Sequence, residues 1–357
     1  MDPITQALTG AVAAQATLSG KLGRSAWIFG AVGGELADID VLFSAWADPA
    51  LPFELHRHFT HSLAFIPAGG LLAAAPFLLF SRWRSKWLAV IGACTIGYAT
   101  HGLLDNCTSY GTHLLWPFIG DRTAWDSMSI IDPLYTLLLA MGVMLTIVLK
   151  RARPARVALA LGLAYIGLGF AQHEQGLAMQ RQIAEQRGHR IERGRVMPTL
   201  GNLVVWRSLY EADGRLYADA LRLPPFGEAS VRAGQSRPRF SEVELRGTRL
   251  DSPRTRDVIA RFSAFATGFT ARGDEDWSGG GFTVGDMRYS LVTGGFAPLW
   301  GLAFLPDDAA TPVRSIGMQG NRDGALGQLW NDLMDPGPEF VPMEVMAPSC
   351  GDARSAR

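Results

Sequence analysis

Cysteine is scarce. Three residues in 357 (Cys94, Cys107 and Cys350) make neither a disulfide framework nor a zinc knuckle. Cys94 falls in an apolar run, where a thiol is a small packing residue. Cys107 and Cys350 meet only if both lie on one side of a membrane. A dense Lys/Arg block is missing too: 33 basic residues balance 33 acidic ones, for a formal net charge of zero. No electrostatic footprint for nucleic acid results. No cleavable signal peptide is expected, because Asp2 is acidic and the first basic residue is Lys21. Neither His-Glu-x-x-His nor Gly-x-Ser-x-Gly occurs, which argues against an intramembrane zinc protease and a serine-type one. No repeat of fixed period is evident, and none of the inverted kind that marks many transporters.

What is present is long charge-free sequence, nearly all of it in the first half. Residues 63–80, 87–104, 133–149 and 157–172 contain no Asp, Glu, Lys or Arg. With interfacial neighbours, each approaches the roughly 17–25 residues that cross a bilayer. Two earlier segments, 4–18 and 27–43, are shorter or interrupted and read as short or half-inserted helices. Asp2-Pro3 reads as an N-cap with proline at the first helical position. The predicted fold is therefore a multi-pass α-helical membrane bundle of four strong spans plus two short N-terminal helices. A soluble, strand-rich α+β domain follows it.

Basic residues in the short connections set the expected orientation. Lys21 and Arg24, then Arg82, Arg84 and Lys86, then Lys150, Arg151, Arg153 and Arg156 form three clusters, all placed in the cytoplasm. Residues 44–62, 105–132 and everything after Gln172 then face outward, which for a bacterial inner membrane is the periplasm. Residues 1–172 form the membrane domain, 173–195 a charged linker helix, 196–345 the soluble domain and 346–357 a disordered tail. Ala212-Asp213-Gly214 between two β-type runs signals a hairpin, and residues 257–266 a helix.

In this topology four polar groups converge on the outer face. They are Glu35-x-x-Asp38-x-Asp40, His56-Arg57-His58-Phe59-Thr60-His61, His101-x-x-x-Asp105, and the loop bearing Asp121, Arg122, Asp126 and Asp132. Glu35 and Asp38 share a helical face, and Asp40 joins them only if the helix has ended. His101 and Asp105, four apart, project from one side of a helix and suit two ligands of one metal. Imidazole with carboxylate suits zinc, and manganese or iron as carboxylates accumulate; the surplus over one tetrahedron suggests two ions. Plainer roles compete. Asp132 reads as an N-cap, His58 and His113 as interfacial polar residues, His173 and His189 as solvated, and Asp121–Arg122 as a loop ion pair. For Asp38, His56, His61, His101 and Asp105 the plain reading is a polar network joining helices.

Met1-Asp2-Pro3-Ile4-Thr5-Gln6, Ala37-Asp38-Ile39-Asp40, His56-Arg57-x-x-Thr60-His61-Ser62, His101-x-x-x-Asp105 and Tyr110-Gly111-Thr112 before Trp116-Pro117-Phe118 occur in order. Together they resemble the YdjM-like family of bacterial inner-membrane, metal-dependent hydrolases, over roughly residues 1–172. The segment 195–199 and the strands beyond resemble the extension of its longer members. The resemblance implies metal ligands at Asp38, Asp40, His56, His61, His101 and Asp105, and a distant kinship to zinc-dependent phospholipase C and P1-type nuclease folds. Ala37 and Gln6 depart from a pattern that often has Pro and His there.

The function expected is metal-assisted hydrolysis of a phosphoester, in a lipid or other envelope substrate, at the outer leaflet. Glu35 or Asp40 would be a second metal's ligand or the general base, and Arg57 or Arg122 would stabilise developing negative charge. The alternative is a non-catalytic inner-membrane protein of envelope maintenance whose soluble domain binds a protein partner.

Overall fold

A computed structural model describes residues 1–43, 48–248, 250–273, 281–305, 313–317, 322–335 and 337–342. Cys350 and the tail 346–357 lie outside the described residues. The chain divides into two compact units. One holds residues 1–47, 51–171 and 200–202, and the other holds 48–50, 172–199 and 203–357.

The first unit is helical. Helix α1 (Pro3–Leu22) starts where the Asp2 carboxylate accepts the Thr5 amide at 3.0 Å, with Pro3 at the first position. It ends at Gly23, whose φ of 62° suits a residue without a Cβ. Helix α2 (Ala26–Glu35) runs straight into a tighter 3₁₀ segment, Leu36–Phe43. After α3 (Leu51–Leu55), two 3₁₀ turns, Phe59–His61 and Leu63–Phe65, precede α4 (Ile66–Leu78) and the short α5 (Ser81–Arg84). Helices α6 (Trp87–Cys107), α7 (Pro133–Leu149) and α8 (Arg153–Gln186) follow.

The centre of this unit is glycine against glycine. A Cβ on Gly10 of α1 or Gly97 of α6 would run into the Gly30 carbonyl of α2, so the three helices meet backbone to backbone. Close approach of this kind drives association where burial from water offers little.

The expected four spans are corrected. Among the described residues two helices, α6 and α8, are long and apolar enough to cross a membrane. A third arises only if residues 51–61 and 63–78, bent by 53°, are taken as one. The run 63–80 loses length because it opens in a 3₁₀ turn and closes at Leu78. At 17 residues α7 spans about 26 Å, short of the ~30 Å hydrocarbon core. The first segment, expected to be short, is instead a 20-residue helix. Its buried Gln15 accepts the Trp27 amide (3.0 Å) and donates to the Gly23 carbonyl (3.2 Å), so the polar group helps turn α1 into α2.

Among the described residues the second unit combines antiparallel β-strands with helices, the end of α8 included. Strands β1 (Arg193–Pro198), β2 (Val205–Ala212), β3 (Arg215–Arg222), β4 (Ser230–Arg232) and β10 (Val341–Pro342) order as β1-β2-β3-β4-β10, with β5 (Ser236–Pro238) on β3. Strands β6 (Thr270–Arg272), β7 (Phe282–Asp286), β8 (Trp300–Phe304) and β9 (Val313–Gly317) make a second sheet in chain order. Helix α9 (Pro253–Phe265) precedes β6, and α10 (Arg322–Met334) follows β9. Asp213 and Gly214, at φ 50° and 68°, close the β2–β3 hairpin with Ala212 opposite Arg215. Trp206, Tyr210, Phe262, Phe269 and Phe304 are fully buried. The charged stretch 173–195 divides among the end of α8, a turn and irregular segment over 187–192, and the first residues of β1. His173 and His189 are not simply solvated: His173 Nδ1 donates to the Val196 carbonyl (2.9 Å), and His189 Nδ1 lies 2.9 Å from the Tyr210 hydroxyl.

Candidate metal centre

Asp38, His61, His101 and Asp105 come from three separate segments and converge in the first unit. Asp38 and Asp40 stand on the 3₁₀ segment after α2, the helix ending that the sequence spacing required for Asp40. His101 and Asp105 lie one turn apart near the end of α6, both fully buried. His61 ends a 3₁₀ turn that lies directly on α6, because a Cβ on Gly102 would meet the His61 carbonyl. The Tyr98 hydroxyl ties the same turn down by donating to the Thr60 carbonyl (2.6 Å).

The ligand atoms are closely spaced. His61 Nε2 is 3.0 Å from His101 Nε2, 3.2 Å from Asp38 Oδ1 and 3.3 Å from Asp105 Oδ2. His101 Nε2 is 3.3 Å from Asp38 Oδ1 and 3.5 Å from Asp105 Oδ2. Ligands of a tetrahedral zinc ion, each near 2.0–2.1 Å from it, lie about 3.3–3.4 Å apart. The observed edges bracket that value.

The surrounding groups orient this set. His101 Nδ1 donates to the Gly34 carbonyl, which turns Nε2 toward the cluster. His61 Nδ1 faces Thr60 Oγ1 (3.0 Å) and Asp40 Oδ2 (3.5 Å), a carboxylate–imidazole arrangement typical behind a metal ligand. Asp105 Oδ1 accepts from Gln6 Nε2 (2.8 Å) and from the Met1 amino group. Its Oδ2 is buried and receives no hydrogen bond from the described residues, and the two facing Nε2 atoms cannot both be donors. A buried carboxylate oxygen that faces two imidazole nitrogens within 3.5 Å, with the Arg57 guanidinium 3.1 Å away, is a donor set that a cation would suit.

A second group, Asp38, Asp40 and His56, shares Asp38 with the first. His56 Nδ1 is 3.1 Å from Asp40 Oδ1, while Asp40 Oδ2 accepts from the Arg57 amide (2.8 Å) and Thr60 Oγ1 (3.0 Å). Burial opposes ionisation of Asp38, but its bonds to His101 and His61 outweigh that and hold the carboxyl well below the ordinary range. Asp40 is likewise lowered, burial being overcome by His56, His61 and the Arg57 amide.

Of the other residues expected at the site, Arg57 is buried with Nε 3.1 Å from Asp105 Oδ2, its guanidinium 4.7 Å over the Tyr110 ring. Its backbone is left-handed, with φ 64°. Arg122 donates to the carbonyls of Phe53 (3.1 Å), His56 (2.8 Å) and Gly111 (3.1 Å), which pins the loop under His56. Glu35 Oε1 is buried without a hydrogen bond from the described residues. Asp132 caps α7 through the Tyr135 amide (3.1 Å) and accepts the Tyr165 hydroxyl (2.6 Å). His58 and His113 pack on each other, ring centres 4.5 Å apart, and belong to neither group. Gly102 carries no signal in the sequence, and Thr60 and Gln6 stand in the motifs quoted above without a role assigned to them at the site.

Long apolar helices with a buried His/Asp cluster define a helical membrane protein that carries a candidate cation centre. Residues 1–176 match the model of the family described as YdjM inner membrane protein, and over that stretch the chain is similar to this family. No curated protein and no solved structure matches the chain.

Proposed function

We propose that the chain is a metal-dependent hydrolase of the inner membrane, cleaving a phosphoester in a lipid or other envelope substrate. The observation that carries this reading is that His61 Nε2 and His101 Nε2 lie 3.0–3.5 Å from each other and from both Asp38 Oδ1 and Asp105 Oδ2. Two imidazoles and two carboxylates suit zinc, with manganese or iron as alternatives. Asp38, Asp40 and His56 would hold a second ion. When bound, such ions make water acidic and neutralise charge on a phosphoryl oxygen.

The chain's own residues divide the remaining work. Asp40 already accepts two hydrogen bonds through one oxygen, so it orients His61 and serves the second ion rather than taking a proton. Glu35, whose Oε1 receives none, is the better general base. Arg57 offers its charge to developing negative charge beside Asp105. Arg122 keeps the loop in place. Several membrane crossings with the basic connections inside would put the centre and the second unit on the periplasmic side.

A specific observation also favours the non-catalytic alternative in envelope maintenance, with a protein partner for the second unit. Arg57 and the Met1 amino group both approach Asp105, and a polar network needs no more than that. Replacing His61 and Asp105 with alanine separates the two readings. Loss of metal and of diester cleavage with normal folding and membrane level favours the hydrolase. A normal phenotype with unchanged folding favours the network.

A further inference from the structure

Beside the cluster lies a groove of about 530 Å³ lined by Ala31, Val32, Glu35, Leu36, Asp38 and Ile39. That volume falls within the roughly 300–1,000 Å³ of ligand clefts. Its lining is of two chemical kinds. Asp38, shared by both metal groups, and Glu35, with its hydrogen-bond-free Oε1, are acidic. Ala31, Val32, Leu36 and Ile39 are aliphatic, and the same stretch of chain exposes Ile28, Val32, Ile39, Val41 and Leu42. A free phosphate would use the polar part and leave the aliphatic walls bare. A phosphate-headed lipid would use both, entering sideways from the hydrocarbon layer.

We infer that this groove receives an alkyl chain of a phosphate-headed lipid whose head lies at Asp38. The inference rests on the phosphoester reading above and narrows its substrate to an amphiphile. The end of α2 and the 3₁₀ segment after it would carry the alkyl chain: Ala31 is a small lining residue, and the lining residues Val32 and Ile39 are exposed. Because Asp38 belongs to both the groove and the metal groups, chain length and head chemistry are read by neighbouring residues of one segment.

The test uses the full chain, purified in detergent and supplied with zinc. The probe is dodecyl phosphate carrying a diazirine on its chain. Photolabel should fall within residues 26–43, be competed by dodecyl phosphate but not by inorganic phosphate, and weaken when zinc is chelated. Val32→Trp, at a partly exposed edge position, should cut labelling roughly tenfold, as excluding two methylenes would. The milder Ile39→Phe should give a smaller loss and guards against misfolding of the first variant. Label outside 26–43, equal competition by inorganic phosphate, or indifference to both variants overturns the inference. Cleavage of bis(p-nitrophenyl) phosphate, which has no chain, reports on the hydrolytic reading separately. Cleavage without label in the groove removes the groove alone, and label without cleavage supports the groove while removing the hydrolase.

Discussion

Gly102→Ala should abolish tight metal binding although Gly102 contributes no ligand. The added Cβ would collide with the His61 carbonyl. Ordinary non-bonded contact needs about 3.5 Å, so the turn carrying His61 must retreat by on the order of 1 Å. His61 Nε2 now sits 3.0–3.3 Å from three other ligand atoms. Metal–ligand distances tolerate only about 0.2 Å, so such a retreat removes His61 from the set. Losing an outer hydrogen-bond partner costs about 10–100-fold in affinity. Losing a direct ligand should reach at least the upper figure, about 100-fold or ~2.8 kcal/mol. The assay is competition with a fluorescent zinc chelator, with circular dichroism to check the fold. Gly92→Ala on the same helix is the control, since its Cβ would meet only Leu18 Cδ1 at 3.5 Å. Equal zinc affinity in folded Gly102→Ala and Gly92→Ala proteins would refute the reasoning.

Asp40→Asn removes a charge behind His61 and a member of the second group, and should lower zinc affinity about 10–100-fold in the same competition assay. Asp132→Ala should leave metal binding unchanged. It should destabilise the first unit by ~1–3 kcal/mol, measured by denaturant unfolding, because it loses the α7 cap and the Tyr165 hydroxyl bond. His113 is pushed down to about 4, by burial first and then by the Arg122 charge and His58, and His58 is lowered as well. The unfolded chain then binds more protons between about pH 6.5 and the folded values, so stability is full above pH 6.5 and falls as the medium acidifies toward pH 4. Asp38 and Asp40, both lowered, lose their contribution only below the ordinary carboxylate range. Thermal unfolding of metal-free His113→Asn should show a shallower decline through that window, and an identical decline would count against the assignment.

The parts of the site that were legible in the sequence are those set by local periodicity. His101 and Asp105 share a face of α6 because they are four apart, and Asp132-Pro133 is a cap because of its residue types. His61 reaches His101 only through two 3₁₀ turns and the missing side chain of Gly102, which no spacing rule reports. Gln6 was read as a departure from the family pattern, yet its amide fills a place by donating to Asp105. The spans were overcounted for a related reason. An uncharged run does not say where its helix starts, and residues 63–65 form a separate 3₁₀ turn before α4 begins. Helix α1 was underrated because Gln6, Thr9 and Gln15 dilute its apolarity, although all three are buried in the bundle. In the second unit the Asp213-Gly214 hairpin was legible from its turn chemistry, whereas the pairing of β10 with β4 joins segments about a hundred residues apart and has no local signature.

Anomalous scattering from crystals of the zinc-supplied protein tests the central claim most directly. A peak is expected among Asp38 Oδ1, His61 Nε2, His101 Nε2 and Asp105 Oδ2, with any second peak between Asp38, Asp40 and His56. A folded protein with no peak there, and with Arg57 still paired to Asp105, would contradict it.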